Sequence, residues 1–184
     1  MLTDDLKEET KLNHQLLEKK LVARMRTMHS TTDYAKLLSV FYSYMGGLEQ
    51  QIGACLNESV LPDYHERRKA SALKADIEFL GGQIPLIATI DHLPTIKTHL
   101  QAIGALYVME GSTLGGQIIS QMISKQLNIS EGLSFFKSYG DGTMTMWRRF
   151  KNVIDMPEHL PGTAVLTSAN ETFKKFGDWF DLNS

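Results

Sequence analysis

The chain has 184 residues, 42% of them hydrophobic, and a formal net charge of −2, which suits one domain over residues 1–184 and is too short for two comfortable ones. It has no lysine/arginine run of the kind that marks a nucleic-acid footprint, and Cys55 as the only cysteine excludes an internal disulfide or a thiolate zinc cluster. The start "MLTDDLKEET" is acidic where a signal peptide is basic, and no apolar run approaches the roughly 18 residues that span a membrane. A cytoplasmic protein without a membrane or nucleic-acid partner is the expectation.

Helical periodicity runs through the chain and no segment alternates apolar and polar residues long enough to read as a strand, so the fold is expected to be all-α. The first helix opens at Thr3 or Asp4, with acids in its first turn, and carries Leu6, Leu17, Leu21, Met25 and Met28 to about residue 28. Thr32 in "HSTTD" is the expected N-cap of a second helix, from Asp33 to about Leu56. That helix buries Leu37, Leu38, Phe41, Tyr44, Met45, Leu48 and Ile52, and its Gly46-Gly47 pair marks a bend or a close approach. A third helix is expected from about Arg67 to Leu80, ending at Gly81-Gly82, and a short one from about Ile84 to Ile90. After the break at "DHLPT" comes the longest helical pattern, about Thr95 to Leu127. A short helix within "NISEGLSFFKSYGDG" and two more, about Thr143 to Asp155 and Val165 to Phe180, complete a bundle of about seven or eight.

Three stretches carry candidate chemistry. On the first helix Lys7, Lys11, His14 and Glu18 form one stripe, stepping by three and four residues. His14 reads as a metal ligand with its tautomer fixed by Glu18, or as an ordinary surface histidine beside Glu/Lys pairs. In "YVMEGSTLGGQII", Gly111, Gly115 and Gly116 sit inside a helix, where each costs roughly 1 kcal/mol relative to alanine. Gly104, Gly111 and Gly115 share a face, so they serve either close helix packing or backbone laid against a flat ligand. Arg148, Arg149 and Lys151 in "MTMWRRFKNVI" offer an anion site or a solvated face. No Glu-x-x-His pair of a di-iron bundle and no G-x-S-x-G elbow is present.

Taken together these stretches resemble the haem oxygenase family. "LKEETKLNH" is similar to its proximal helix, "EGSTLGGQII" to its distal helix, and "SEGLSFF" at Ser130 to Phe136 to the segment that follows. The resemblance implies an enzyme that uses haem as cofactor and substrate, opening it with O₂ and electrons to biliverdin, Fe²⁺ and CO. It implies His14 as the iron ligand, an imidazole rather than the thiolate that favours O–O cleavage. Distal residues Gly111, Ser112, Gly115 and Gly116 then lie over the opposite face, and Lys7, Lys11, Arg148 and Arg149 near the propionates.

The chain's length leaves no room for a flavin or nicotinamide domain, so a ferredoxin or an NAD(P)H-dependent reductase is the implied electron donor. The product supplies a phytochrome chromophore or the reaction releases iron, and both stay open. One departure stands out. Many family members carry an aspartate directly after the first distal glycine, where this chain has Ser112, and a serine orients water but holds no charge at neutral pH. A haem-binding carrier or sensor that has lost oxygen activation is therefore the alternative reading.

Overall fold

A computed structural model describes residues 1–183. Seven α-helices occur in the order α1 (Leu2–Arg26), α2 (Thr31–Cys55), α3 (Ser71–Phe79), α4 (His99–Leu127), α5 (Ser134–Lys137), α6 (Thr143–Ile154) and α7 (Thr163–Leu182). Among the described residues there is no strand, and no helix is long and apolar enough to cross a membrane.

The helix starts follow from local chemistry. Asp4 and Asp5 occupy the first turn of α1, where negative charge meets the positive end of the helix dipole. The cap of α2 is Ser30 and not Thr32. Ser30 Oγ accepts from the Asp33 backbone N–H while the Asp33 carboxylate accepts from the Ser30 N–H, and this reciprocal pair satisfies two donors that Thr32 would leave unmet. Thr98 caps α4 and moves its start from the expected Thr95 to His99.

All seven apolar residues expected inside α2 are buried, and Phe41 lies at the centre of an aromatic cluster with Phe135, Phe136, Phe176 and Phe180. Tyr44 stacks on Phe176 at 4.5 Å and donates its hydroxyl hydrogen to the Thr172 carbonyl at 2.8 Å, so its burial leaves no polar group unmet.

The helix expected from Ile84 to Ile90 does not form. The Ala88 N–H is donated instead to the Ser43 carbonyl of α2 at 2.8 Å, and the segment lies along α2 as irregular chain. Gly46 and Gly47 make that approach possible: a Cβ on Gly47 would stand 2.8 Å from the Ala88 carbonyl oxygen. The third helix is also shorter than expected, because Arg67 and Arg68 precede its start at Ser71 and turn inward.

Both α1 and α4 pack along α7. Asn13 of α1 donates to Asn170, and Lys20 pairs with Asp181 and with the Gly177 carbonyl. On the α4 side, Ser168 donates to the Gln101 carbonyl. These contacts set α1 and α4 side by side on a shared floor.

Candidate functional site

Two bridges join α1 to α4. At one, the Tyr107 side chain of α4 meets the Thr10 hydroxyl of α1, with Trp147 of α6 at 5.6 Å from the tyrosine ring. At the other, the Gln126 amide donates to the carbonyls of Met25, in the last turn of α1, and Met28, just beyond it, at 3.0 and 2.6 Å. Between the bridges the two helices present open surface.

The glycines divide by environment. Gly104 is closed: a Cβ there would stand 2.3 Å from the Val165 carbonyl oxygen of α7. Gly116 is closed as well, with the Phe136 carbonyl oxygen of α5 2.2 Å from its hypothetical Cβ. Nothing lies within 4 Å of a Cβ at Gly111 or Gly115. Close packing therefore explains Gly104 and Gly116, which takes Gly116 out of the expected open face, and leaves Gly111 and Gly115 unexplained by any contact within the chain.

Exposed Leu114, Ile118 and Met122 continue along α4 from these two glycines. Such large apolar side chains in a row at a helix surface mark a binding face more often than chance exposure. Three hydroxyls back-bond along the same helix, Ser112 to the Met109 carbonyl, Thr113 to Glu110 and Ser120 to Gln117, a pattern that bends helices. They accompany an α4 that stays helical through all its glycines.

On α1, Lys7, Lys11, His14 and Glu18 are all exposed along one stripe. The His14 ring lies 5.4 Å from that of Phe173 on α7. Glu18 is not hydrogen-bonded to His14, so the tautomer-fixing contact expected from the sequence is not made among the described residues. A groove of about 690 Å³ runs along the flank beside this stripe and is lined by Leu16, Glu18, Lys19 and Val22 among others. A smaller cavity of about 270 Å³ between α2 and residues 87–93 lies away from both helices' open faces.

The two arginines of α6 part company. Arg149 lies 3.3 Å from Glu66 and 3.9 Å from Asp63. Arg148 is exposed, and among the described residues no carboxylate lies within ion-pair distance of it. Arg148 is accordingly the one with charge to spare.

The residues that sequence reasoning missed are Arg67 and Arg68. Arg67 is 2% exposed and reaches three elements: bidentate to Asp63, 2.8 Å to Glu110 Oε2 and 2.9 Å to the Met146 carbonyl. Burial works against its charge, but Asp63 and Glu110 outweigh burial and hold its pKa above the ordinary value. Arg68 stacks 4.0 Å above the Phe135 ring and donates to the Met109 carbonyl at 2.7 Å and to Ser112 Oγ at 2.6 Å. Burial lowers its pKa to about 10, with Glu110 and Tyr139 opposing that fall, so it is charged at neutral pH. Tyr139 closes the set by accepting from the Arg68 backbone N–H and donating to Glu110 Oε1 at 2.8 Å. Burial and the Glu110 charge raise the Tyr139 phenol pKa, keeping it a donor.

Comparison with known proteins bears on this arrangement. A family model described as "Heme oxygenase" matches residues 1–182. A protein named "Heme oxygenase" from Xanthomonas campestris pv. campestris is 32% identical over 123 residues, which is 66% of this chain and 72% of that one. Among solved structures, the NO- and CO-bound heme oxygenase of Neisseria meningitidis superposes with a TM-score of 0.82 at 20% identity, covering 100% of this chain and 92% of that one. A heme oxygenase of the cyanobacterium Synechocystis, in complex with heme, gives a TM-score of 0.75 at 18% identity, covering 98% and 91%. At these identities the structural likeness speaks for the fold, while the family match speaks for residues 1–182.

Proposed function

The chain belongs to the haem oxygenase family, an enzyme that degrades haem to biliverdin, and from that premise we propose how its own residues do so. We propose that haem lies between α1 and α4, with His14 as the iron ligand and the Gly111–Gly115 backbone over the opposite face. The observation that carries this reading is the open space at Gly111 and Gly115, glycines that no contact within the chain requires. The fit is chemical as well as spatial: an imidazole on one helix, apolar Leu114, Ile118 and Met122 on the other, and exposed cations at the rim.

Bound haem supplies the iron that uses O₂ and electrons, and the products are biliverdin, Fe²⁺ and CO. The chain's contribution is to bind, orient and exclude. Gly111 and Gly115 admit the macrocycle against main chain, because no side chain stands between. Lys7 and Lys11, one and two turns before His14, pair with the propionates, and Arg148 adds to them where Arg149 is held by Glu66. Each exposed pair contributes modestly, roughly 0–1 kcal/mol, so together they set orientation more than affinity. Ser112 spends its hydroxyl hydrogen on the Met109 carbonyl and keeps lone-pair capacity for a water on the distal side. Electrons come from a separate ferredoxin or NAD(P)H-dependent reductase, in the cytoplasm, with the 184 residues acting as one domain.

Titrating the purified protein with hemin and then adding ascorbate or a ferredoxin system in air tests the reading. A Soret band saturating near one equivalent and decaying into biliverdin absorption is the expected result. A Soret band that persists under an active reductant would select a carrier or sensor, the reading that Ser112 favours. His14→Ala should lose the axial-ligand spectrum and turnover; if both persist, the ligand lies elsewhere.

A further inference from the structure

The acidic and basic groups packed behind α4 form a unit that haem binding alone does not require. Arg67 and Arg68 supply two cations, and Asp63 and Glu110 two carboxylates. The four are not paired evenly. Asp63 and Glu110 both bond to the Arg67 guanidinium, and among the described residues no carboxylate lies within ion-pair distance of Arg68. Glu110 is linked to Arg68 by hydrogen bonds only through the Tyr139 hydroxyl and the Arg68 backbone N–H, although its charge acts on Arg68 through space.

A buried guanidinium without an ion-pair partner is expensive, since buried charges are normally neutralised by contact. Pure packing would be served better by an apolar side chain of similar volume. The Arg68 side chain instead spends its strongest bonds on one turn of α4, the Met109 carbonyl and Ser112 Oγ, at the turn where Gly111 opens to the cleft. The Ser112 hydroxyl hydrogen is committed to Met109, so the arginine meets its oxygen and no rotation of the hydroxyl is needed to receive it.

We propose that Arg68, bonded to Met109 and Ser112 at this turn, sets a positive potential at the open Gly111–Gly115 face and holds Ser112 there as a fixed acceptor. The inference rests on the haem reading above. The distal side then differs in kind from one organised by a carboxylate. Ser112 becomes a fixed acceptor polarised by a buried cation, and water held there is oriented by a positive field. Arg67, Glu110 and Tyr139 hold the geometry, because Arg67 fixes Glu110 and Tyr139 fixes the Arg68 main chain.

The test uses ligands of the haem complex as field probes, so it does not depend on turnover. Hemin is bound to wild type, Arg68→Met, Arg68→Lys and Ser112→Ala, and its Soret titration is recorded first. The C–O stretch of the reduced CO complex and fluoride affinity of the ferric complex follow. A positive potential lowers the C–O stretch and favours an anion. Arg68→Met should therefore move the stretch to higher wavenumber and weaken fluoride by at least about threefold, with Arg68→Lys falling between it and wild type. Ser112→Ala leaves the arginine in place and removes the acceptor oxygen beside it, so it should shift both probes the opposite way, to a lower C–O stretch and tighter fluoride. Adding Arg68→Met to it removes the charge itself and should reverse that shift.

Unchanged probes in a haem-loaded Arg68→Met would overturn the proposal. If Arg68→Met fails to fold, unchanged probes in Ser112→Ala overturn it equally. Absence of a Soret band in the wild type would instead remove the haem reading itself, and so the two failures are told apart.

Discussion

The two halves of α4 use the same residue for opposite ends. Before Glu110, the helix lies on α7 so closely that Gly104 has no room for a methyl group. After it, Gly111 and Gly115 face open space and Leu114, Ile118 and Met122 stand exposed. Gly104 is explained by what touches it, Gly111 and Gly115 by what the chain leaves off them. A glycine in a helix costs roughly 1 kcal/mol in either place, and a neighbouring helix returns it at Gly104 and, against α5, at Gly116, but not at Gly111 or Gly115.

The boundary between the halves is where Arg67 and Arg68 grip the helix, and breaking that grip should have the largest effect on stability. Arg67→Ala would leave Glu110 buried beside Asp63 with no cation between them, at a cost of about 3–5 kcal/mol. Chemical denaturation would show this as a lower midpoint with unchanged slope. A loss below 1 kcal/mol would mean that the network is incidental to the fold.

Gly104→Ala comes next. Its methyl group would meet the α7 backbone and not a movable side chain, so α4 and α7 must separate, at about 1–3 kcal/mol before any propensity gain. Gly115→Ala sharpens the comparison by its sign. The same substitution, three turns on, meets nothing and should leave the protein without haem as stable as wild type or more so, by up to about 1 kcal/mol. Melting both variants side by side checks the pair, and a destabilised Gly115→Ala would show that this stretch packs against something after all.

The sequence carried much of this and concealed the rest for reasons that can be named. Helix number and the buried face of α2 follow from apolar periodicity, which is local. Gly46-Gly47 pointed to a close approach, and the chain does lie there, yet residues 84–90 were legible as helix because the Ser43 carbonyl that takes the Ala88 N–H lies 45 positions earlier. In "HERRK" nothing local distinguishes Arg67 and Arg68 from surface residues. The cue was Glu110, an acid in the middle of an apolar helix 43 residues from Arg67, which asks for a buried cation without naming it. Periodicity put Gly104, Gly111 and Gly115 on one face, and only the position of α7 divides them. The stripe of Lys7, Lys11, His14 and Glu18, which the fold keeps exposed, left His14 open between ligand and surface residue, and only the family resemblance singled it out.

The central claim is that Gly111 and Gly115 are bare so that haem can lie against them. It is tested most directly by hemin titration of Gly115→Leu. The account predicts a variant that melts like wild type without hemin but gives a weakened or displaced Soret band and little biliverdin on reduction. A wild-type Soret band with wild-type turnover would contradict it, and would return Gly115 to the ranks of helix residues whose bareness serves nothing bound.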